Sequence, residues 1–202
     1  MYPYSLPDLQ FPKNAISHVI DELTMEIHHT KHHQTYINNL NKILSGISDL
    51  QQNSLEEILA NFRQLPIDIR EGLVNNGGGH LNHTQFWEIL VPTKHNEPFG
   101  EIRDAINVEF DGYHILKQKI IEDGLKRFGS GWVWLVMNQG KLEVTSTANQ
   151  ENPIMYGQSA LLGIDLWEHS YYLKYQNRRQ EYLENILTIL NWEVINRRFL
   201  LA

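Results

Sequence analysis

The chain has 202 residues, 42% of them hydrophobic and 20% charged, enough to bury a sizeable core without disulfide staples. Lys and Arg number 17 against 24 Asp and Glu, a formal charge of −7, which argues against a protein whose affinity rests on neutralising nucleic-acid phosphates. Cysteine is absent, so thiolate metal sites, iron–sulfur clusters and Cys nucleophiles are excluded. The opening Met1-Tyr-Pro-Tyr-Ser-Leu-Pro7 has no basic region before an apolar run. No stretch of about 18 apolar residues follows. The expectation is a cytoplasmic protein with no membrane partner.

Residues 1–20 are rich in proline and aromatics and read as an irregular arm packed on the surface. Asp21-Glu22 opens a helical pattern carried by Leu23, Ile27, Ile37, Leu40 and Leu44, which predicts one helix over 21–45 with Gly46 after it. Ser54-Leu-Glu-Glu57 is a capping box, and the helix it starts is expected to run to Pro66. Residues 67–91 are helical at both ends but hold Gly77-Gly78-Gly79 in the middle. Each interior glycine costs roughly 1 kcal/mol relative to alanine, so something must need the missing side chains. Residues 91–100 form the best linker, and 99–127 read as a further helix. Then the period changes: 131–137 and 141–147 alternate as strands around Asn138-Gln-Gly140, and 160–165 is a short buried strand. From Tyr171 the chain is helical again. The predicted class is α+β: an all-α helical hairpin over 1–91, then an α/β unit over 92–202 with a small antiparallel sheet.

Ten histidines is a high count, and four lie in His28-His29-Thr-Lys-His32-His33. On an α-helix His28, His32 and Tyr36 line one stripe, since each four-residue step rotates by only about 40°. A His-rich polar face would explain them as well as a metal site. Gly79, His83 and Trp87 share a second stripe, so Gly79 leaves a side-chain-sized gap beside His83, or simply lets two helices cross closely. Asp165-Leu-Trp-Glu-His169 places a carboxylate and an imidazole four apart after an apolar strand. A carboxylate there is costly unless paired or metal-bound, although Asp165 could equally be a helix cap. Three imidazoles and a carboxylate would make an N3O set suited to Mn, Fe or Zn.

Four segments together resemble the iron/manganese superoxide dismutase family: Met25-Glu-Ile-His-His-Thr-Lys-His-His33, Asn75-Asn-Gly-Gly-Gly-His-Leu-Asn-His83, Gly129-Ser-Gly-Trp-Val-Trp134 and Asp165-Leu-Trp-Glu-His-Ser-Tyr-Tyr172. They occur in the family's order across nearly the whole chain. The resemblance implies a helical hairpin domain followed by an α/β domain with a three-stranded sheet. It implies metal ligands at His28, His83, Asp165 and His169, gateway residues at His32, Tyr36 and Tyr172, and aromatic walls at Trp132 and Trp134, with Trp87 and Trp167 nearby. The family carries an active-site glutamine on either the helix or the sheet. Here the helix position is Gly79 and the sheet position Gln150, as in the manganese branch, so manganese is the expected cofactor with iron the alternative. Gln150 is expected to fill the gap at Gly79. The implied reaction converts superoxide to dioxygen and hydrogen peroxide. Glu168, beside His169, is expected to reach a partner subunit's ligand histidine, which implies a homodimer, with a tetramer as a further assembly. Lys31 and Arg178 are candidates for steering the anion. Two other readings of the N3O set are a metallohydrolase, for which no His-Glu-x-x-His motif occurs, and a metal-storage protein, which would have no use for Gln150, Tyr36 and His32.

Overall fold

The computed structural model describes residues 2–93 and 97–202, so the middle of the expected linker, Lys94 to Asn96, lies outside the described residues. Asp21 caps the first helix by accepting from the Thr24 amide at 2.8 Å. The helix then runs through three pieces: α1 (Glu22–Ile27), a π-helical turn (His28–His33) and α2 (Gln34–Leu44). The sequence predicts a plain α-helix here. A π turn fits an extra residue per hydrogen-bonded ring, and it falls where the chain buries three imidazoles, His28, His29 and His33, against different partners.

The Ser54–Glu57 capping box forms as expected, with both reciprocal bonds present. Its helix α3 (Leu55–Ala60) ends earlier than predicted and gives way to a 3-10 turn at Phe62–Gln64. Helix α4 (Ile67–Glu88) passes uninterrupted through the three glycines. The α2–α4 hairpin encloses a small core of Leu40, Leu44, Leu55, Leu59 and Leu73, which Met155 of the C-terminal half completes.

The predicted 99–127 helix is two, α5 (Gly100–Phe110) and α6 (Tyr113–Lys126). Asp111 and Gly112 separate them with φ of 56° and 111°, a left-handed kink that Asp-Gly tolerates and a helix interior does not. Strands β1 (Gly131–Asn138) and β2 (Lys141–Ala148) form a hairpin whose two turn residues, Gln139 and Gly140, both have positive φ. Strand β3 (Ser159–Asp165) pairs antiparallel with β1 on its other side, giving the order β2-β1-β3. That register sets Asp165 opposite Trp132. The C-terminal helical stretch is three short helices, α7 (Tyr172–Tyr175), α8 (Arg179–Ile186) and α9 (Trp192–Leu201).

The larger core joins sheet and helices through Trp132, Trp134, Leu162, Tyr182 and Ile186, and it takes in Phe86 and Trp87 from the far end of α4. Phe11, Ile16, Val19 and Ile20 also lie in it. The N-terminal segment is therefore not merely a surface arm: burying each such side chain stabilises by roughly 1.5–3 kcal/mol. The α4 C-terminus is tied to the chain before α9 by Val91 N–H to Ile189 O (2.9 Å) and Asn191 N–H to Ile89 O (2.7 Å). Helical hairpin and sheet are thus clamped with their histidine- and tryptophan-bearing faces together. No described helix is long and apolar enough to cross a membrane.

Candidate metal centre

Four side chains from three distant parts of the chain converge. His28 comes from the π turn, His83 from α4, Asp165 from the end of β3 and His169 from the 3-10 turn Glu168–Ser170. One ligand-type atom from each lies within 4.8 Å of all the others. Asp165 Oδ2 is 3.1 Å from His28 Nε2, 3.3 Å from His169 Nε2 and 3.7 Å from His83 Nε2. None of these four atoms has a hydrogen-bond partner, although three of the residues are fully buried and His169 is nearly so. Buried polar atoms without partners are rare because desolvation goes uncompensated. Four facing one another at these separations suit bonds of roughly 2 Å to a shared cation, and N3O donors suit manganese or iron.

The surroundings hold two of the donors, His83 and Asp165, by hydrogen bonds. His83 Nδ1–H donates to Gly79 O at 2.6 Å, which leaves the Nε2 lone pair free to face inward. Asp165 divides its oxygens: Oδ1 accepts from the Trp167 amide at 2.8 Å, while Oδ2 faces the histidines. The bond from Trp167 closes an Asx turn and not a helix cap, because the N-cap of the Glu168–Ser170 turn is Trp167 itself, without a side-chain cap bond, and Oδ2 is left facing the cluster. Burial lowers the His28 pKa to about 4 and holds His83 well below its ordinary value. Burial alone would raise Asp165, but His169 and His28 overcome it and hold the carboxyl below its usual range. At neutral pH the aspartate is ionised and His28 and His83 are neutral, the states in which these groups bind metals.

Around the cluster, His32 stacks on His169 (4.1 Å between ring centres) and is only partly buried. Trp87 lies edge-on to His28 at 4.9 Å, Trp132 edge-on to His83 at 5.3 Å, and Trp167 stacks on His169 at 5.6 Å. Trp134 sits a layer behind, stacked on Trp132. Tyr172 is half exposed at the start of α7. Glu168 is also half exposed and lies 3.5 Å from Arg179.

The gap at Gly79 has a different tenant from the one expected. The Tyr36 ring packs there, and a Cβ on Gly79 would meet its Cγ at 2.6 Å. The backbone carbonyl of Gln150 instead presses on the neighbouring Gly78. Gln150 is nearly fully buried, and its Nε2 donates to the Tyr36 hydroxyl at 3.1 Å, so helix and sheet meet through that bond. Burial, with Asp165 adding to it, raises the Tyr36 pKa to about 12. The tyrosine keeps its proton at any ordinary pH.

Several residues of the site were not singled out from sequence. His33 accepts from Trp87 Nε1 (3.0 Å) and bonds His80 (2.8 Å), forming a buried imidazole pair behind His83. Asn82 and Asn152 bond in series to Gln150. Arg179 reaches the carbonyls of Arg127 and Leu166 and the Glu168 carboxylate. Its helical phase with Tyr182, Leu183 and Ile186 marks it as inward-facing. Arg178, the steering candidate, is instead paired with Glu181 at 2.6 Å, while Lys31 is exposed.

Comparison with known proteins accords with this geometry. The model of the iron/manganese superoxide dismutase α-hairpin domain matches residues 3–91, and that of the family's C-terminal domain matches 98–198. The chain belongs to the iron/manganese superoxide dismutase family. Similar relatives include the superoxide dismutase (Mn) of Thermus aquaticus, 51% identical over 96% of this chain and 95% of the relative. Those of Thermus thermophilus (50% identical, 98% of each chain) and Listeria innocua (47%, 97% of each) match over a similar span. Family membership carries with it the expected helical hairpin followed by an α/β unit with a three-stranded antiparallel sheet.

Proposed function

We propose that the chain is a superoxide dismutase that holds one manganese ion, with iron the alternative, between His28, His83, Asp165 and His169. The observation carrying this is the set of four buried, mutually facing, unpartnered donor atoms in a chain of this family. The names of the relatives support manganese over iron. The bound ion would supply one-electron redox chemistry, oxidising one superoxide to dioxygen and reducing the next to hydrogen peroxide.

The protein's share is positioning and protons. Asp165 gives the donor set a single negative charge, and the histidines add none. Trp87, Trp132 and Trp167 wall the pocket and restrict it to small species. Peroxide formation consumes two protons. Tyr36 holds one at Oη beside the cluster, and the partly exposed His32 ring links the pocket to solvent. Gln150 holds the Tyr36 hydroxyl in place.

The same proposal includes a homodimer. Glu168 and Tyr172 are half exposed next to His169, and Phe128 is 99% exposed. Arg179 links the backbone beside Phe128 to Glu168. A partner covering this face would bury Phe128 and offer its own His169 to Glu168. The division into domains at 91/92 also belongs to the proposal, with limited proteolysis near that point as its check. So does a cytoplasmic location, read by cell fractionation.

The deciding experiment strips the metal, reloads with manganese or iron, and measures metal content and superoxide consumption on the same samples. Manganese at about one ion per chain with superoxide removed is the expected result. Full occupancy with superoxide untouched would favour metal storage and defeat the proposal.

A further inference from the structure

The centre is completed by an amide whose two ends differ chemically, and a chain of buried hydrogen bonds fixes which end points where. Gln150 Nε2 faces the Tyr36 hydroxyl at 3.1 Å, and Gln150 Oε1 faces Trp132 Nε1 at 3.0 Å and Asn82 Nδ2 at 3.1 Å. Indole nitrogen only donates, so the end facing Trp132 must be the oxygen. Asn82 is itself an amide and could turn over. Its Oδ1 accepts from Asn152 Nδ2 at 2.8 Å, which leaves its own nitrogen for the side-chain and backbone oxygens of Gln150, both 3.1 Å away. Asn152 could turn over too, but its Oδ1 accepts from the Ile154 backbone amide at 2.9 Å. A backbone N–H cannot become an acceptor. The chain Ile154 N–H, Asn152, Asn82, Gln150 is therefore bounded at both ends by groups that only donate, and both assign the same polarity.

We infer that Asn152 is a positioning residue for the centre: acting through Asn82, it commits the donor end of Gln150 to Tyr36, so that Tyr36 accepts from Gln150 and turns its own proton away from it, toward the pocket. This inference rests on the function proposed above. All three amides are buried, at 2% exposure or less, where a misdirected donor or acceptor is costly. The close seating of the chain explains Gly78, since a Cβ there would collide with the Gln150 carbonyl oxygen that Asn82 also bonds. Asn152 also acts locally, capping the 3-10 turn Pro153–Tyr156 through that same Oδ1. Any test must separate the two roles.

Two variants do so. Asn152→Asp keeps the shape and the cap and, assayed at a pH where the carboxyl is ionised, has no hydrogen to give Asn82 or Gln85, whose Oε1 accepts from Asn152 at 3.2 Å. Asn82 then turns its nitrogen to the carboxylate and sets its oxygen against both oxygens of Gln150. Asn152→Ser keeps the cap but is too short to reach Asn82, so it removes volume without reversing polarity. Polarity control makes Asn152→Asp the worse enzyme: kcat falls at least about threefold, from one misdirected hydrogen bond, with KM and metal content unchanged. Asn152→Ser stays closer to wild type. A packing role gives the opposite order, and that order, or an unaffected Asn152→Asp, overturns the inference. Neutron diffraction from deuterium-exchanged crystals of the wild-type holoenzyme reads the polarity of Asn152, Asn82 and Gln150 directly, and the same map of Asn152→Asp reads whether Asn82 turns over. Deuterons on the Gln150 atom nearest Tyr36, and the Tyr36 deuteron directed away from Gln150, are expected; a bare oxygen at that position sinks the proposal. A wild-type enzyme inactive on superoxide would fail the proposed function alone, because the neutron map would still read the polarity.

Discussion

Histidine protonation is where residue chemistry meets stability. His28 and His80 each have a pKa lowered to about 4, in both cases chiefly by burial. An unfolded chain protonates its histidines near the ordinary value of about 6.5. Between those values the unfolded chain binds protons that the folded chain refuses, so acid favours unfolding. The metal-free protein should be most stable above about pH 7. Its melting temperature should fall steadily as pH drops from about 6.5 toward 4, with each pH unit of separation worth about 1.4 kcal/mol per group. Calorimetry across that range reads it; a flat profile would mean that these rings are solvated. Gln150 carries the second prediction at this scale. With its one bond to Tyr36 and two to its own oxygen, Gln150→Ala should lower activity roughly 10- to 100-fold, as loss of a residue supporting a metal site does. Metal content should stay near wild type, because none of the four donors is bonded to Gln150. Paired metal analysis and superoxide assay would settle it; proportional loss of both would make Gln150 a folding residue.

Helix α4 shows what an element gives up to host a site. Its glycines weaken it intrinsically, yet two of them lie where other groups need the space: Gly78 under the Gln150 carbonyl, Gly79 under the Tyr36 ring. Gly72 on the same helix differs, because a Cβ there meets only the mobile end of Ile43, at 2.9 Å. Gly72→Ala should therefore be neutral or stabilise by up to about 1 kcal/mol, the propensity gain. Gly78→Ala should destabilise by at least about 2 kcal/mol, since a backbone carbonyl must move. Chemical denaturation of the two variants tests the contrast; equal effects would contradict the packing described. The sequence announced that something needed Gly77 to Gly79, and the stripe Gly79, His83, Trp87 placed that need beside His83. It did not reveal the occupant, because Tyr36 reaches Gly79 only across the hairpin, a tertiary contact with no local signature. The π turn escaped for a related reason: helical periodicity reports the solvent and core faces, whereas His28, His29 and His33 are drawn to three separate partners. Asp111-Gly112 is a turn dipeptide, but apolar spacing continues on either side of it, so periodicity alone joins α5 and α6 into one helix. The four donors were legible as His- and Asp-bearing segments, and the family resemblance, more than the spacing, brought them together. Asn82 and Asn152 were not, since a buried amide and a surface amide look alike in a sequence.

At the scale of the whole molecule, one protomer leaves its centre close to the surface on the Glu168 side. His169 has 15% of its side chain exposed, Glu168 is half exposed, and Phe128 stands almost wholly in solvent two residues before Ser130. The proposed partner would cover this side chain together with Glu168 and Tyr172. Arg179, mostly buried beneath, ties the backbone on both sides of this face together through the carbonyls of Arg127 and Leu166. In a two-fold dimer the same patch meets itself, and Glu168 of one protomer would accept from the outer nitrogen of the partner's ligand histidine, orienting it as a carboxylate commonly does. Phe128→Asp should then shift sedimentation from dimer to monomer by placing like charges across the axis. Glu168→Ala should weaken the dimer less, but should lower metal retention and activity in the dimers that remain, because it removes the bond to the ligand. Analytical ultracentrifugation with metal analysis separates the two effects. A wild-type chain that sediments as a monomer at micromolar concentration, with full metal and full activity, would show that the centre is complete within one protomer and that Phe128 has another purpose.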